Sequence, residues 1–573
     1  MTTRAKALLA VGCVVLVLGG GLLTIILGAR YATRHVPGNT LLTVEIAGPI
    51  PEVASDSPFG DLFGPRTLSR QDYRDALVQA ASDPKVRGVR VKIQEMSAGV
   101  ATIEELRGLF GRVGRAGKAT AAYLETAGEF APGNAQYLLA TGCRRIVLNP
   151  MGDVNLIGLG VRTPYIRGTL DKLGIAPEFP GIGDYKSARF FYTEKDFTPA
   201  AREMMTWLLD SMTTQVVGGI AESRGMTPAQ VNLLMRRGPF LGPAALKEKL
   251  VDELADWETF AQSCSAQGGR ELDEVSIRRY LKAGRPDRSG TRIAVVVAEG
   301  EILRGENGYS PVPLFGGDVM GSDTIARAWR QVRDSGAKAA VFRINSPGGS
   351  AVASEIIRDE MIKTSAKIPV VVSMGDVAAS GGYWITCGAN KIVADPGTIT
   401  ASIGVFSGHF DMTKFWDDKI GVTWGRIDTA PNGSMYSTVD SWTSEQRKAA
   451  QGFLDRIYDS FLDHVASSRK LTRGQVDDVG RGRVFTGEQA KARRLVDELG
   501  TFDDALAAAK QLAGLRPDAP VELVFFPERK PLLQRIMEQD DAAARWEAVV
   551  KEALAGKMIG TPGPVWMPPI QIQ

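Results

Sequence analysis

The chain has 573 residues, 44% hydrophobic and 23% charged, with 68 basic against 65 acidic side chains for a net charge of +3. That length exceeds what one core organises and predicts two or more folded domains. The near balance of charge argues against a nucleic-acid binder, and four cysteines make neither a disulfide framework nor a metal cluster, so Cys143 and Cys387 read as small buried residues rather than a bridge.

The first element is apolar. Ala7 to Ala29 runs 23 residues without a charge, between Arg4 and Lys6 on one side and Arg30 on the other. As a helix at about 1.5 Å per residue it spans roughly 35 Å, enough to cross a bilayer core. The apolar stretch is too long for a cleavable signal peptide and lacks its small-residue exit, so residues 1–36 read as an uncleaved anchor, with the transmembrane part at about 7–29. Basic residues lie almost evenly on both sides, which leaves the orientation weakly encoded.

Beyond the anchor the chain is written twice. "LLTVEIAGPI" near Leu41 parallels "RIAVVVAEGEI" near Arg292, and "GVRVKIQEMSAG" from Gly88 parallels "AAVFRINSPGGS" from Ala339. "YLLATGCRRIVLNPMGDVNLIGLG" from Tyr137 matches "YWITCGANKIVADPGTITASIGVF" from Tyr383 at an offset of 246. "GPFLGPAALKEKLVDEL" from Gly238 is echoed by "GRVFTGEQAKARRLVDEL" from Gly482. Four matches in one order at nearly constant spacing indicate duplication. They divide the chain into a first repeat at 37–268, a polar linker at 269–290, a second repeat at 291–515 and a tail at 516–573. Within each repeat, short β-branched runs such as "IPVVVSM" alternate with amphipathic stretches such as "SDTIARAWRQVRDSG". That alternation predicts an α/β fold of βαβ units on a largely parallel sheet, and "FLDRIYDSFLDHVASSRK" predicts a helical extension. The end of the tail, "TPGPVWMPPIQIQ", is proline-rich and reads as irregular.

The duplication is an internal control, because residues needed only for folding match between the copies while residues of a single site need not. Lys186, in "GDYKSA" of the first repeat, falls opposite Asn432 or Gly433 in the second. Ser380, in "MGDVAASGGYWI" of the second, falls opposite Asn134, and "SPGG" (Ser346 to Gly349) falls opposite "EMSA". Taken singly, Ser-Gly-Gly and Pro-Gly-Gly read as turns and a lysine as a surface charge. Their partition between the copies is what one site shared by two domains leaves behind. A serine hydroxyl needs a base to become a nucleophile. His35 lies beside the anchor, and neither His409 nor His464 has an adjacent signature. A lysine serves as base if burial lowers its pKa toward 7–8, a shift of about three units or roughly 4 kcal/mol. Oxyanion donors are expected at Gly348, in the glycine turn, and at Gly381, whose amide follows the serine.

"RINSPGGS", "MGDVAASGGYWI", "TITASIGVF" and "GDYKSA" resemble the signal peptide peptidase family SppA, in its long tandem-domain form, over nearly the whole chain. The resemblance implies two tandem ClpP/crotonase-like domains behind an N-terminal transmembrane helix, and a membrane-anchored serine endopeptidase with a Ser-Lys dyad. Ser380 takes the nucleophile's place and Lys186 that of the general base. It implies further that no cofactor or metal is used, that the substrates are remnant signal peptides, that the chain forms a homotetramer, and that the catalytic body is periplasmic on a bacterial inner membrane. Asp376 stands where the family pattern has a neutral polar residue, and is expected to add a carboxylate near the site. A crotonase-type acyl-CoA hydratase or hydrolase and a non-catalytic membrane scaffold are the alternatives. A Ser-Lys pair favours the peptidase, and a scaffold leaves the partition of serine and lysine unexplained.

Overall fold

The computed structural model describes residues 36–53, 67–284, 289–310 and 317–528. Among these no helix is long and apolar enough to cross a membrane, and the anchor expected at 7–29 lies outside them. In the first repeat the strands are β1 (Thr40–Pro49), β2 (Val86–Ser97), β3 (Ala119–Leu124), β4 (Arg145–Leu148), β5 (Glu253–Leu254) and β6 (Asp273–Ser276), in the spatial order β6-β1-β2-β3-β4-β5. All five pairings are parallel. The second repeat contributes β7 (Thr291–Glu299), β8 (Ala339–Ser346), β9 (Val370–Ala379), β10 (Lys391–Ala394), β11 (Glu498–Leu499) and β12 (Val521–Phe526), which follow the same path, β12-β7-β8-β9-β10-β11, also all parallel. Val89, Val91 and Ile93 on β2, and Ala340, Phe342 and Ile344 on β8, belong to the two main cores. Near-continuous apolar runs of this kind suit strands that helices cover on both faces.

Matched contacts carry the duplication into side-chain detail. The Tyr137 hydroxyl donates to Leu250 O at 2.7 Å and the Tyr383 hydroxyl to Leu495 O at 2.8 Å. Arg224 pairs with Asp252 at 2.7 Å, as Arg469 does with Asp497 at 2.5 Å. The expected helical extensions are Pro199–Arg224 and Ser444–Arg469, 26 residues each, opened by Thr198 and Thr443 as N-caps. Cys143 and Cys387 are each buried and unpaired, in separate cores.

Two boundaries shift. The stretch expected as a linker, 269–290, holds β6, whose Asp273–Ser276 pair with Thr40–Thr43, and the helix Ile277–Ala283. Val275, Ile277 and Tyr280 are buried there, widely enough spaced among polar residues that composition alone hides them. The expected tail, 516–573, begins with β12, which pairs with Thr291–Val296 at the matching edge of the second sheet.

The two repeats interlock. Gly181–Ile182 pairs antiparallel with Val405–Phe406, and Ala176–Glu178 with His409–Asp411. The helix Pro199–Arg224 sets Met204, Met205, Leu208 and Met212 against Ala379, Ile399 and Val484 of the second repeat. Beside this apolar seam lies a buried charge cluster. Arg343 on β8 contacts Glu52 at 2.9 Å and Glu105 at 3.0 Å, and Arg70 pairs with both carboxylates. Burial of such charges is tolerable because each faces an opposite partner.

Candidate active site

Strand β9 ends at Ala379, and the chain turns at once into the short helix Gly381–Trp384. Ser380 at the corner has φ 55° and ψ −119°, a backbone conformation that side chains larger than glycine's rarely adopt, held by its N–H donating to Ala401 O at 2.8 Å. The corner projects the hydroxyl away from the sheet. Gly348 in the preceding turn, at φ 105°, makes room for it, since a Cβ there would stand 2.6 Å from Gly381 N and 2.8 Å from Ser380 Cβ.

Lys186 arrives from the first repeat. Four residues after the cross-repeat strand Gly181–Ile182, the chain folds under the second repeat. The Tyr185 N–H donates to Arg481 O at 3.1 Å, and the Arg483 guanidinium lies over the Tyr185 ring at 3.9 Å. Lys186 is 6% exposed. Its Nζ lies 2.9 Å from Ser380 Oγ, 3.0 Å from Ser402 Oγ and 3.3 Å from Ser402 O. Among the described residues no carboxylate pairs with it, and burial alone pulls its pKa down to about 7. The structure thus brings together the serine and the lysine, which lie 194 positions apart.

Ser402 was not singled out from the sequence, although the same test finds it: at the offset of 246 it falls opposite Leu156. It is buried at φ 53°, with its N–H donating to Arg483 O at 2.9 Å. A neutral lysine amine has two N–H bonds and one lone pair. When the amine is neutral and the carbonyl and hydroxyl of Ser402 accept its two N–H donors, the lone pair is left for Ser380 Oγ.

The two glycines expected as oxyanion donors differ in what their amides do. Gly381 N–H follows the serine and has no protein acceptor among the described residues. Gly348 N–H, however, donates to Ser346 Oγ at 3.2 Å, and Ser346 Oγ–H donates in turn to Gly300 O at 2.7 Å. The next amide, Gly349, is uncommitted among the described residues, and its nitrogen lies 3.1 Å from where a Cβ of Gly381 would sit.

Asp376 does not add a carboxylate to the site. It accepts hydrogen bonds from Gly99 N–H at 3.2 Å, Thr102 N–H at 2.8 Å and Thr102 Oγ–H at 2.6 Å, at the start of the helix Val100–Arg115 in the first repeat. The histidines are engaged elsewhere: His409 stacks on Trp442 with its Nδ1 3.0 Å from Ser437 O, and His464 meets Glu355 at 3.1 Å. His35 lies outside the described residues. Opposite Ser380, the first repeat holds Asn134, whose amide closes a loop by donating to Gly158 O at 2.8 Å.

Two stretches, residues 124–269 and 362–516, match the family described as Peptidase family S49. "Protease 4" of Salmonella typhi is 36% identical over 434 residues, covering 73% of this chain and 68% of that protein. "Protease 4" of Haemophilus influenzae is 33% identical over 527 residues, 87% of this chain and 82% of its own. "Serine protease SPPA, chloroplastic" of Arabidopsis thaliana is 29% identical over 504 residues, 86% of this chain and 72% of its own.

Proposed function

Because the chain belongs to peptidase family S49 and is a serine peptidase, we propose that Ser380 is its nucleophile and Lys186 its general base. One observation carries this reading: a buried lysine amine with no ionic partner among the described residues lies 2.9 Å from the hydroxyl of a strained serine. With a pKa of about 7, roughly half the amine is neutral at that pH, so the base is available without a histidine.

In the reaction Ser380 Oγ attacks the carbonyl carbon of a peptide bond as its proton passes to Lys186 Nζ. The negative oxygen that forms is held by the N–H groups of Gly381 and Gly349. Lys186, now an ammonium, gives the proton to the departing amine, and the acyl group stays on Ser380. Water then enters and passes a proton to Lys186 Nζ as its oxygen attacks the ester carbonyl, and Lys186 returns that proton to Ser380 Oγ as the acid leaves. Ser402 holds the Lys186 Nζ in place through both halves of the cycle.

The substrate class and setting rest on the resemblance and on the apolar segment at 7–29. Each half is a ClpP/crotonase-like domain, a reading that the matching parallel sheets support. The anchor holds the body on the periplasmic face of a bacterial inner membrane, where it degrades remnant signal peptides, bound extended, and the chain works as a homo-oligomer. The test is a fluorophosphonate probe on the full chain in detergent. Labelling is expected at Ser380, rising with pH on a limb near 7, and lost together with peptide cleavage in Ser380→Ala. Cleavage surviving in that variant, or a label elsewhere, overturns the assignment.

A further inference from the structure

Two helices begin beside Ser380, and one carboxylate joins them. The turn Gly381–Trp384 opens with the amide that follows the serine, and the helix Ala351–Ser365 starts two residues after Gly349. On that second helix, Glu355 Oε2 accepts the Trp384 indole N–H at 2.6 Å. His464, from the helix Ser444–Arg469, brings its Nε2 to 3.1 Å from the same oxygen, and Arg358 reaches the other oxygen at 3.4 Å. Trp384 is 5% exposed and packs on Phe461, with ring centroids 4.7 Å apart. Its backbone N–H donates to Ser380 O at 2.9 Å, so the indole stands one hydrogen bond from the nucleophile's own backbone.

The duplication separates this contact from ordinary packing. Glu355 and Arg358 correspond to Glu104 and Arg107 at the offset of 251, so both repeats keep the acid and the arginine. Trp384 and His464 do not recur: at offsets of 246 and 245 they fall opposite Leu138 and Gly219. In the first repeat Arg107 holds Glu104 at 3.0 Å and also donates to Gly219 O at 2.7 Å. A side chain at Gly219 has little room, because a Cβ there would stand 3.1 Å from Leu138 Cδ1 and 3.3 Å from Arg107 Cζ. The repeat that carries Ser380 has turned the same acid toward an indole on the nucleophile's turn. A buried indole N–H needs an acceptor, whereas leucine, buried at the matching place in the first repeat, fills the space without one.

We propose that Glu355 is a positioning residue for the peptidase reaction: by accepting the Trp384 indole N–H it ties the helix behind Gly349 to the turn that opens at Gly381. The tie fixes the spacing of the two amides that hold the oxyanion, and His464 steadies the carboxylate from its far side. The inference rests on the assignment of Ser380 and of those amides under the proposed function. Oxyanion donors act only when they already stand at hydrogen-bond distance from where the charge develops. The two amides belong to different helices, and the Gly349 nitrogen lies 3.1 Å from where a Cβ of Gly381 would sit, so a small slip of one helix on the other spoils their convergence. Glu355 touches neither substrate nor the serine. Its effect reaches the reaction through Trp384.

The test uses the full chain in detergent, with kcat counted per active site titrated by the fluorophosphonate probe, so that unfolded protein does not enter the rate. Trp384→Phe keeps a ring against Phe461 and drops only the indole N–H. It is expected to lower kcat about 10-fold, less than the roughly 100-fold or more that losing an oxyanion donor costs, with KM unchanged. Inhibition by a peptide aldehyde, whose adduct with the serine carries an oxyanion, is expected to weaken by the same factor. Glu355→Leu is expected to match Trp384→Phe, the double variant to be no worse than either single, and Glu355→Gln, which keeps an acceptor oxygen, to recover most of the rate. Unchanged kcat in Trp384→Phe, or losses that multiply in the double variant, overturn the inference while labelling at Ser380 leaves the catalytic reading standing. A rise in KM at constant kcat overturns it too, since that is a binding effect. A wild type whose probe labels elsewhere than Ser380 overturns the catalytic reading and this inference with it.

Discussion

Asp376, on the strand that ends just before Ser380, accepts both the backbone N–H and the hydroxyl of Thr102, at 2.8 and 2.6 Å, across the boundary between the repeats. The carboxylate caps a helix that belongs to the other half of the molecule. Its negative charge also faces the positive end of that helix. Folding the second repeat thus completes a secondary-structure element of the first.

Asp376→Ala is therefore expected to destabilise the chain by about 1–2 kcal/mol, the usual worth of an N-cap. Asp376→Asn, which keeps one acceptor oxygen, falls between. Denaturant unfolding of the three proteins checks the order. Equal midpoints would show that the cap carries no stability.

Lys186 makes a prediction with a definite sign. In the unfolded chain its amine titrates near 10.4, and in the native chain near 7. Between those values the unfolded chain holds a proton that the native chain lacks, so this group's contribution to stability rises with pH across the window. The burial penalty stands in full below about pH 7 and is gone above about pH 10.4. Lys186→Met removes the titration at similar volume. It is expected to be inactive yet more stable than the wild type at neutral pH by about 2–3 kcal/mol, after allowing for hydrogen bonds lost by Ser380 and Ser402. The difference should shrink as pH rises through 10. A pH-independent difference would mean that the native amine is not neutral.

Ser402 is expected to act on rate and not on binding. Ser402→Ala leaves the carbonyl at 3.3 Å from Nζ but removes the hydroxyl at 3.0 Å, freeing the amine to rotate its lone pair away from Ser380. The expected result is a kcat lower by about 10- to 100-fold with KM nearly unchanged, in keeping with the general worth of a positioned base. A rise in KM at constant kcat would assign Ser402 to substrate binding instead.

Much of this site was legible in the sequence because duplication turns one chain into its own comparison. Ser380 against Asn134, and Lys186 against Gly433 or Asn432, are visible as mismatches in otherwise matching text. Ser402 against Leu156 carried the same signal but followed a run of other mismatches, Gly397 to Ala401 against Met151 to Asn155, and did not stand out. Which glycine amides stay open was beyond reach, since it depends on Ser346 Oγ capturing the Gly348 N–H. Asp376 was placed near the site because it departs from the family pattern inside the motif that carries Ser380. Only the tertiary fold shows that its carboxylate meets Gly99 and Thr102 of the other repeat. The edge strands β6 and β12 were hidden for a related reason: they are short, and partners far away in the sequence hold them in place.

Gly482 tests the coupling of the two halves most directly. It lies in the second repeat at φ 83°, and a Cβ there would stand 2.4 Å from Lys186 N and 2.5 Å from Lys186 Cα. Both atoms belong to backbone, so Gly482→Ala must displace the segment that carries the base. The Gly482 N–H, which donates to Ile403 O at 2.7 Å, limits how far its own strand can retreat. A shift of about 1 Å between reacting groups costs on the order of 100-fold in rate. The same shift admits water to a lysine whose pKa is low only because it is buried, so the activity limb should move up from about 7 as kcat falls. A purely structural defect would lower the amount of active enzyme and leave the limb where it is. Titration of active sites with the fluorophosphonate probe, run beside the pH–rate profile, separates the two, and an unmoved limb with unchanged kcat would show that Lys186 does not depend on this contact.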